Sequence, residues 1–360
     1  MNARFIERKN FVCRFPQNER CVRISSAMRK IFLTGHKGYI GVELIPLLRR
    51  RGYTVIGCDT GLFEECAWYP AEKADRDLNL DLRDISPGDL LGCDAVIHLA
   101  ALSNDPMGDL DPELTREVNL KSSIRLANMA KEAGVSRFLF AGSCSVYGKG
   151  DCLDLNETAP LNPLTPYAES KIEAEREILA LCGNGFATAS LRNATAYGSS
   201  AMLRLDLVVN NLMACAYTQG NICLKSDGTS WRPLIHCRDI ARAFVAFLEA
   251  PKEAVSGQAV NIGANEENYQ VKDVARLVQE MMPGADIVFT GEIGHDPRNY
   301  RVNFDRLNRL LPGFRLRYTL REGMRELLND FRRHGLPPQD FEGGKYVRLE
   351  KLKETWMAPA

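Results

Sequence analysis

Apolar, strand-like runs alternating with helical segments predict an α/β fold: a doubly wound parallel sheet with a smaller C-terminal α/β lobe. Three observations carry this reading. Short apolar runs end at glycine- or acid-bearing loops. Amphipathic stretches separate those runs. The alternation then loses its regularity after about residue 195.

Residues 30–33 form a short apolar run leading into a glycine loop, which reads as a buried strand. Residues 42–51 carry Leu44, Leu47 and Leu48 at helical spacing, and 54–58 form a second strand ending at Asp59. Further strands are expected at 94–99, 137–141, 187–191 and 259–262. A helix is expected over 114–134, stopping at a glycine, and another over 166–181, starting near a proline. Beyond 195, helices are expected at 205–217, 271–282, 305–311 and 320–333, with a strand at 286–290. Residues 236–249 and 259–262 are expected to return to the main sheet.

A chain of 360 residues, 45% of them hydrophobic, has ample core for one large domain plus a lobe. The expected partition assigns 28–194 with about 234–263 to the sheet domain. About 195–233 with 264–334 forms the lobe, and 335–360 is a loosely docked tail after Gly335-Leu336-Pro337-Pro338. Residues 1–27 are Arg-rich and aperiodic, lack the apolar stretch of a signal peptide, and read as a disordered extension, with Met28 a candidate start. The formal net charge is zero, so no global field favours nucleic acid or an anionic membrane. The eleven cysteines include no Cys-x-x-Cys pair, which argues for reduced thiols in the cytoplasm and against a metal site. No apolar run approaches the roughly 18–20 residues that span a bilayer.

The first loop reads Gly35-x-x-Gly38-Tyr39-Ile40-Gly41 between a strand and a helix. Glycines let the backbone approach a phosphate, and the helix N-terminus offers free N–H groups. Alone, the same pattern describes an ordinary turn. Asp59, at the end of the next strand, is placed to bind the adenosine ribose hydroxyls and to repel a 2′-phosphate. This favours NAD(H) over NADP(H). Asp81-Leu82 is a candidate for the adenine edge, though a solvated Asp fits equally well.

Tyr167 and Lys171 lie at i, i+4 spacing at the start of a helix and share one face. A free phenol, with a pKa near 10, is a poor base. A neighbouring ammonium is expected to favour the phenolate. Ser143 follows a strand end, where its hydroxyl can hydrogen-bond a substrate oxygen. Tyr-x-x-x-Lys on its own more often marks a solvated helix face. Downstream of a glycine loop and a Ser-bearing strand end it is far more specific.

With these stretches together, the chain resembles an extended short-chain dehydrogenase/reductase of the NAD-dependent epimerase/dehydratase family, which acts on nucleotide sugars. The matching stretches are Thr34–Gly41, Asp81–Asp84, His98–Ala101, Val118-Asn119, Ser143–Gly148, Pro166–Lys171, Leu191-Arg192 to Tyr197-Gly198, and Arg232 to Asp239. The resemblance implies a Rossmann-type domain with NAD as cofactor, a nucleotide-sugar substrate and a homodimer formed through the helices of 114–134 and 166–181. It makes Tyr167 the acid/base, Lys171 its partner and ribose ligand, and Ser143 the hydroxyl donor. Leu99, Ala100 and Ala101 would line the cofactor, with Asn119 supporting them. Ser103, Ser143, Asn193, Thr195, Asn211, Arg232 and Arg298 are the candidate substrate contacts. The two arginines among them would clamp the diphosphate, and Asn210 is a weaker candidate for that role.

Two departures bear on the reaction. Thr195 stands where many relatives have Asn, with Asn193 two residues earlier. Cys144-Ser145 follows Ser143 where sugar 4,6-dehydratases carry Asp-Glu, the acid and base that dehydration needs. Dehydration is therefore disfavoured. Cys144 is a possible acid/base, with a packed structural role the plainer alternative. The leading expectation is an epimerase working by transient oxidation of a sugar hydroxyl. A net keto-sugar reductase or dehydrogenase uses the same three residues. A non-catalytic dinucleotide sensor needs none of them.

Overall fold

The structure, a computed structural model, describes residues 30–149, 154–291 and 298–357. The extension expected over 1–27 lies outside the described residues. Seven parallel strands form the main sheet: β1 (Lys30–Thr34), β2 (Thr54–Asp59), β3 (Arg76–Asn79), β4 (Ala95–His98), β5 (Arg137–Ser143), β6 (Ala187–Asn193) and β10 (Gln258–Ile262). Their order is β10-β6-β5-β4-β1-β2-β3. The winding reverses between β1 and β4, which opens a crevice at the carboxyl ends of those strands. The register brings those ends level: Thr34 pairs with Cys58 and His98, and Ser143 with Asn193.

Both faces of the sheet are covered, which is why its strands read as continuous apolar runs. On one face Ile31, Leu33, Ile97 and Leu139 pack against α1 (Gly41–Arg50) and α7 (Cys237–Glu249). On the other, Phe32, Val96, Phe138 and Phe140 pack against α4 (Ser122–Glu132) and α5 (Pro166–Ala180). Two short helices, α8 (Lys252–Val255) and α10 (Asp305–Leu310), close the β6–β10 edge. The helix expected over 114–134 is composite. It starts as α3 (Pro112–Thr115), passes through a π-helical turn at Arg116–Lys121 and continues as α4.

The second lobe is built from a three-stranded sheet, β11-β9-β7, and a two-stranded one, β12-β8. Its strands are β7 (Thr195–Tyr197), β8 (Asn221–Leu224), β9 (Trp231–His236), β11 (Asn268–Gln270) and β12 (Asp286–Phe289). Helices α6 (Val208–Gln219), α9 (Val271–Met281) and α11 (Leu320–His334) supply Leu212, Met213, Val274, Leu327 and Phe331 to its own core. Among the described residues, no helix is long and apolar enough to cross a membrane.

Three parts of the fold differ from the expected pattern. Strand β3, Arg-Asp-Leu-Asn, is an exposed edge strand with no apolar run to announce it. Helix α2 (Asp105–Leu110) contains both Pro106 and Gly108, so it shows no periodic signal. The segment after His334 is not a loose tail. It forms α12 (Pro338–Glu342) and α13 (Arg348–Met357), and Leu336, Tyr346 and Leu352 are buried. Gly335 and the two prolines only punctuate the chain there, and the prolines precede a new helix.

Candidate active site

A cleft of about 500 Å³ runs along the carboxyl ends of β1, β2, β4, β5 and β6. Its first wall is the glycine loop. Gly35 has φ +71, and a Cβ there would stand 2.7 Å from the Ala100 nitrogen. A Cβ on Gly41 would stand 2.3 Å from the Gly35 carbonyl oxygen. Only glycine fits either place, so the loop lies flat against the strand end. No side chain caps the start of α1, and its N-terminal end faces the cleft through Tyr39, Ile40 and Gly41. Tyr39 is locked: its hydroxyl donates to the Gly198 carbonyl at 2.6 Å, and its own carbonyl accepts from Ser200 Oγ at 2.9 Å.

Asp59 closes this end. Its carboxylate accepts from the Lys37 nitrogen at 3.1 Å and the Gly61 nitrogen at 2.9 Å, fixing it at the strand end beside the cleft. Asp81 and Leu82 line the same end. Asp81 is paired with Arg83 at 2.9 Å, and that guanidinium holds its carboxyl below the usual carboxylate range. Leu99, Ala100 and Ala101 form the floor. Asn119 stands behind them, fully buried in the π-helical turn. It accepts from the Leu102 nitrogen at 2.9 Å and donates to the Leu102 carbonyl at 3.1 Å. A flat glycine loop, an uncapped helix start and a fixed carboxylate suit the pyrophosphate and adenosine ribose of NAD.

The second half of the cleft holds Ser143, Tyr167 and Lys171 together. Ser143 ends β5. Tyr167 and Lys171 lie one turn apart on α5, which Pro166 and a Thr165 cap begin. Gly108 lets α2 pack directly on that turn: a Cβ there would lie 2.9 Å from the Tyr167 Cβ. Lys171 Nζ donates to the Ala141 carbonyl at 3.0 Å and sits 4.7 Å from the Phe140 ring centre and 5.8 Å from that of Tyr167. Burial brings its ammonium down to about 7. Burial pushes the Tyr167 phenol up to about 12; Asp105 adds to the rise, and a hydrogen bond with Ser143 opposes it. The expected lowering of Tyr167 by Lys171 is not found: desolvation acts against the charged form of both groups, raising the phenol and lowering the ammonium.

Asn193 and Thr195 also line this half. Asn193 donates to the Gly142 carbonyl at 3.2 Å, while its buried Oδ1 has no partner among the described residues. Ser145 Oγ is likewise buried without a partner, and Ser145 lines the cleft. Ser103 reaches it too, accepting from Arg204 Nη1 at 3.1 Å.

Five candidates stand differently from expectation. Cys144 does not line the cleft. Its thiol donates to the Arg192 carbonyl at 3.2 Å, and burial pushes it up, away from acid/base range. Arg232 is held under the neighbouring backbone, donating to the Trp231 carbonyl at 2.7 Å and to the Arg298 carbonyl at 2.5 Å. It does not line the cleft. Arg298 does, but it forms an ion pair with Asp105. Asn211 is turned to the Leu205 carbonyl at 2.9 Å, and Asn210 braces Gly198 and Arg204.

Sequence reasoning missed Asp105, Arg204, Tyr300 and Arg348, all of which line the cleft. Asp105 accepts from Thr165 Oγ1 at 2.5 Å and thereby ties α2 to the start of α5. None of the four sits in a local motif.

Fold and cleft together define a nucleotide-binding oxidoreductase site of the extended short-chain dehydrogenase/reductase type. Residues 31–263 match the sequence profile of the NAD dependent epimerase/dehydratase family, and the chain belongs to that family. It is an enzyme with NAD as its cofactor. It is 26% identical over 316 residues to a putative UDP-glucose 4-epimerase of Methanocaldococcus jannaschii, covering 83% of this chain and 97% of that one. It is 26% identical to UDP-glucuronic acid decarboxylase 2 of Arabidopsis thaliana, covering 84% and 68%. The solved structure of MoeE5 in complex with UDP-glucuronic acid and NAD superposes with a TM-score of 0.72 at 27% identity, covering 84% of this chain and 99% of that one.

Proposed function

We propose that this enzyme is a nucleotide-sugar epimerase that works by transient oxidation of a sugar hydroxyl, with a UDP-sugar as the class of substrate. The observation that carries the reading is the content of the catalytic half of the cleft. Ser143, Tyr167 and Lys171 meet there, while the two positions after Ser143 hold no carboxylate. Cys144 is turned away, and Ser145 is a hydroxyl with no acid/base capacity near neutral pH. That set suits proton and hydride exchange at a carbinol, and the positions after Ser143 supply no acid and base for elimination of water; the Asp105 carboxylate near Tyr167 is held by Arg298 and Thr165. The UDP-sugar class rests on the names of the relatives.

The chain's part in the chemistry is proton transfer and orientation. Ser143 Oγ holds the substrate hydroxyl. Tyr167 Oη accepts its proton as the carbon is oxidised and returns it when the opposite face is reduced. Lys171 sits below the phenol and binds the cofactor ribose. When bound, NAD supplies the hydride acceptor and the positive charge that favours a phenolate. The unpartnered Asn193 Oδ1 and Ser145 Oγ are free to bind the sugar.

Tyr167→Phe is expected to lower turnover by roughly 10²–10⁴-fold without changing the melting temperature. Turnover is read by NMR of a UDP-sugar panel in D₂O. Full activity in that variant would sink the proposal. A steady change in NADH absorbance coupled to substrate would favour net reduction instead. We also propose the homodimer through the helical segment of 114–134, which ends in α4, and through α5; Lys121, Arg176 and Glu177 are exposed on these segments. A sedimentation mass of two chains is expected, and a single-chain mass at micromolar concentration overturns it.

A further inference from the structure

Arg348, the first residue of α13, lies beyond residue 263, where the family match ends. It is only 3% exposed, yet it lines the same cleft as the glycine loop. Its Nη2 donates to the Met202 carbonyl at 3.2 Å, and its guanidinium covers the Phe63 ring at 4.7 Å. Its Nη1 is buried and has no hydrogen-bond partner among the described residues.

The surroundings place this cation beside the phosphate end of the cleft. Met202 and Phe63 form one cluster with Val42, the second residue of α1. Ser200 holds the Tyr39 carbonyl of the glycine loop. A second buried guanidinium, Arg204, lines the same cleft. The carboxylate there, Asp206, is already used by Arg204 at 2.8 Å and by Asn104 at 2.7 Å. Two guanidiniums thus share one carboxylate. A buried cation without a counter-charge is costly and is retained where an anion completes it.

We propose that Arg348, brought in by the C-terminal helix, acts with Arg204 to bind the pyrophosphate of NAD beside the glycine loop. Planar guanidiniums suit adjacent phosphate oxygens. The cofactor site is then completed by a segment outside the Rossmann-type domain. This inference depends on NAD binding alone and stands or falls independently of which sugar reaction follows.

A diphosphate could come from the dinucleotide or from the substrate, so the test uses both. NAD and UDP are titrated calorimetrically into the full chain and into Arg348→Met and Arg348→Lys. Methionine keeps the apolar stem and removes the charge. NAD affinity is expected to fall roughly tenfold or more in Arg348→Met, with Arg348→Lys in between and UDP affinity unchanged. The salt dependence of NAD binding is expected to be shallower in Arg348→Met than in the parent. Unchanged NAD affinity, equal salt slopes, or a loss confined to UDP overturns the proposal, whatever happens to the melting temperature.

Discussion

At the scale of single residues, Lys171 makes the sharpest prediction. Burial lowers its pKa to about 7, from 10.5 for an exposed lysine. Between those values the unfolded chain holds the proton that the folded chain has released. Folding stability from this group therefore rises as pH climbs from about 7 to about 10.5. Lys171→Met removes that slope. Melting temperatures of parent and variant, compared from pH 7 to 10, should move apart in favour of the parent. A constant difference contradicts the assignment. Gly35, Gly41, Asp59, Ser143, Tyr167 and Lys171 were legible in sequence because each sits in a short local pattern that dictates its own geometry. Arg204, Asp105 and Arg348 were not, because their roles arise from partners brought in by the fold. Arg232 sits in a motif that suggests a phosphate clamp; in the fold it donates to two backbone carbonyls.

At the scale of elements, the position of α5 decides whether Tyr167 and Ser143 meet. The helix is anchored by Glu175, which pairs with Arg192 of β6 at 2.6 Å and accepts from Ser190 Oγ at 2.6 Å. Arg192 in turn donates to the Tyr147 hydroxyl at 3.0 Å, and that hydroxyl donates to Asn261 of β10 at 2.8 Å. Glu175→Ala leaves a buried guanidinium unpaired. It should cost about 3–5 kcal/mol in urea unfolding and lower turnover with it, since α5 loses its register on the sheet. A loss below about 1 kcal/mol would show that the network is not what fixes the helix. The strands of the main sheet were readable from apolar runs because both their faces are covered. Strand β3 and helix α2 were not, since one is polar and exposed and the other carries Pro106 and Gly108.

At the scale of the whole molecule, the doubly wound order follows from strand–helix alternation, but the closing of the cleft does not. Leu352 of α13 packs against Leu102 and Met107, with Leu62 and Phe63 at the edge of that cluster. Lys351 reaches Glu65 at 2.9 Å. Tyr346 joins the core of the second lobe. The C-terminal segment thus links the sheet domain, its cleft loops and the lobe. A chain ending at Gly335 should melt at a lower temperature and be cut faster by protease around residues 62–66 and 102–107. Equal melting and equal digestion would show that the segment adds nothing to the body it covers.

The same helix gives synthesis of the protein a direction. Every other wall of the cleft is made before α13, so a growing chain has Leu62, Phe63 and Leu114 beside Leu102 and Met107 but lacks Leu352, and the cleft lacks Arg348, until that helix is made.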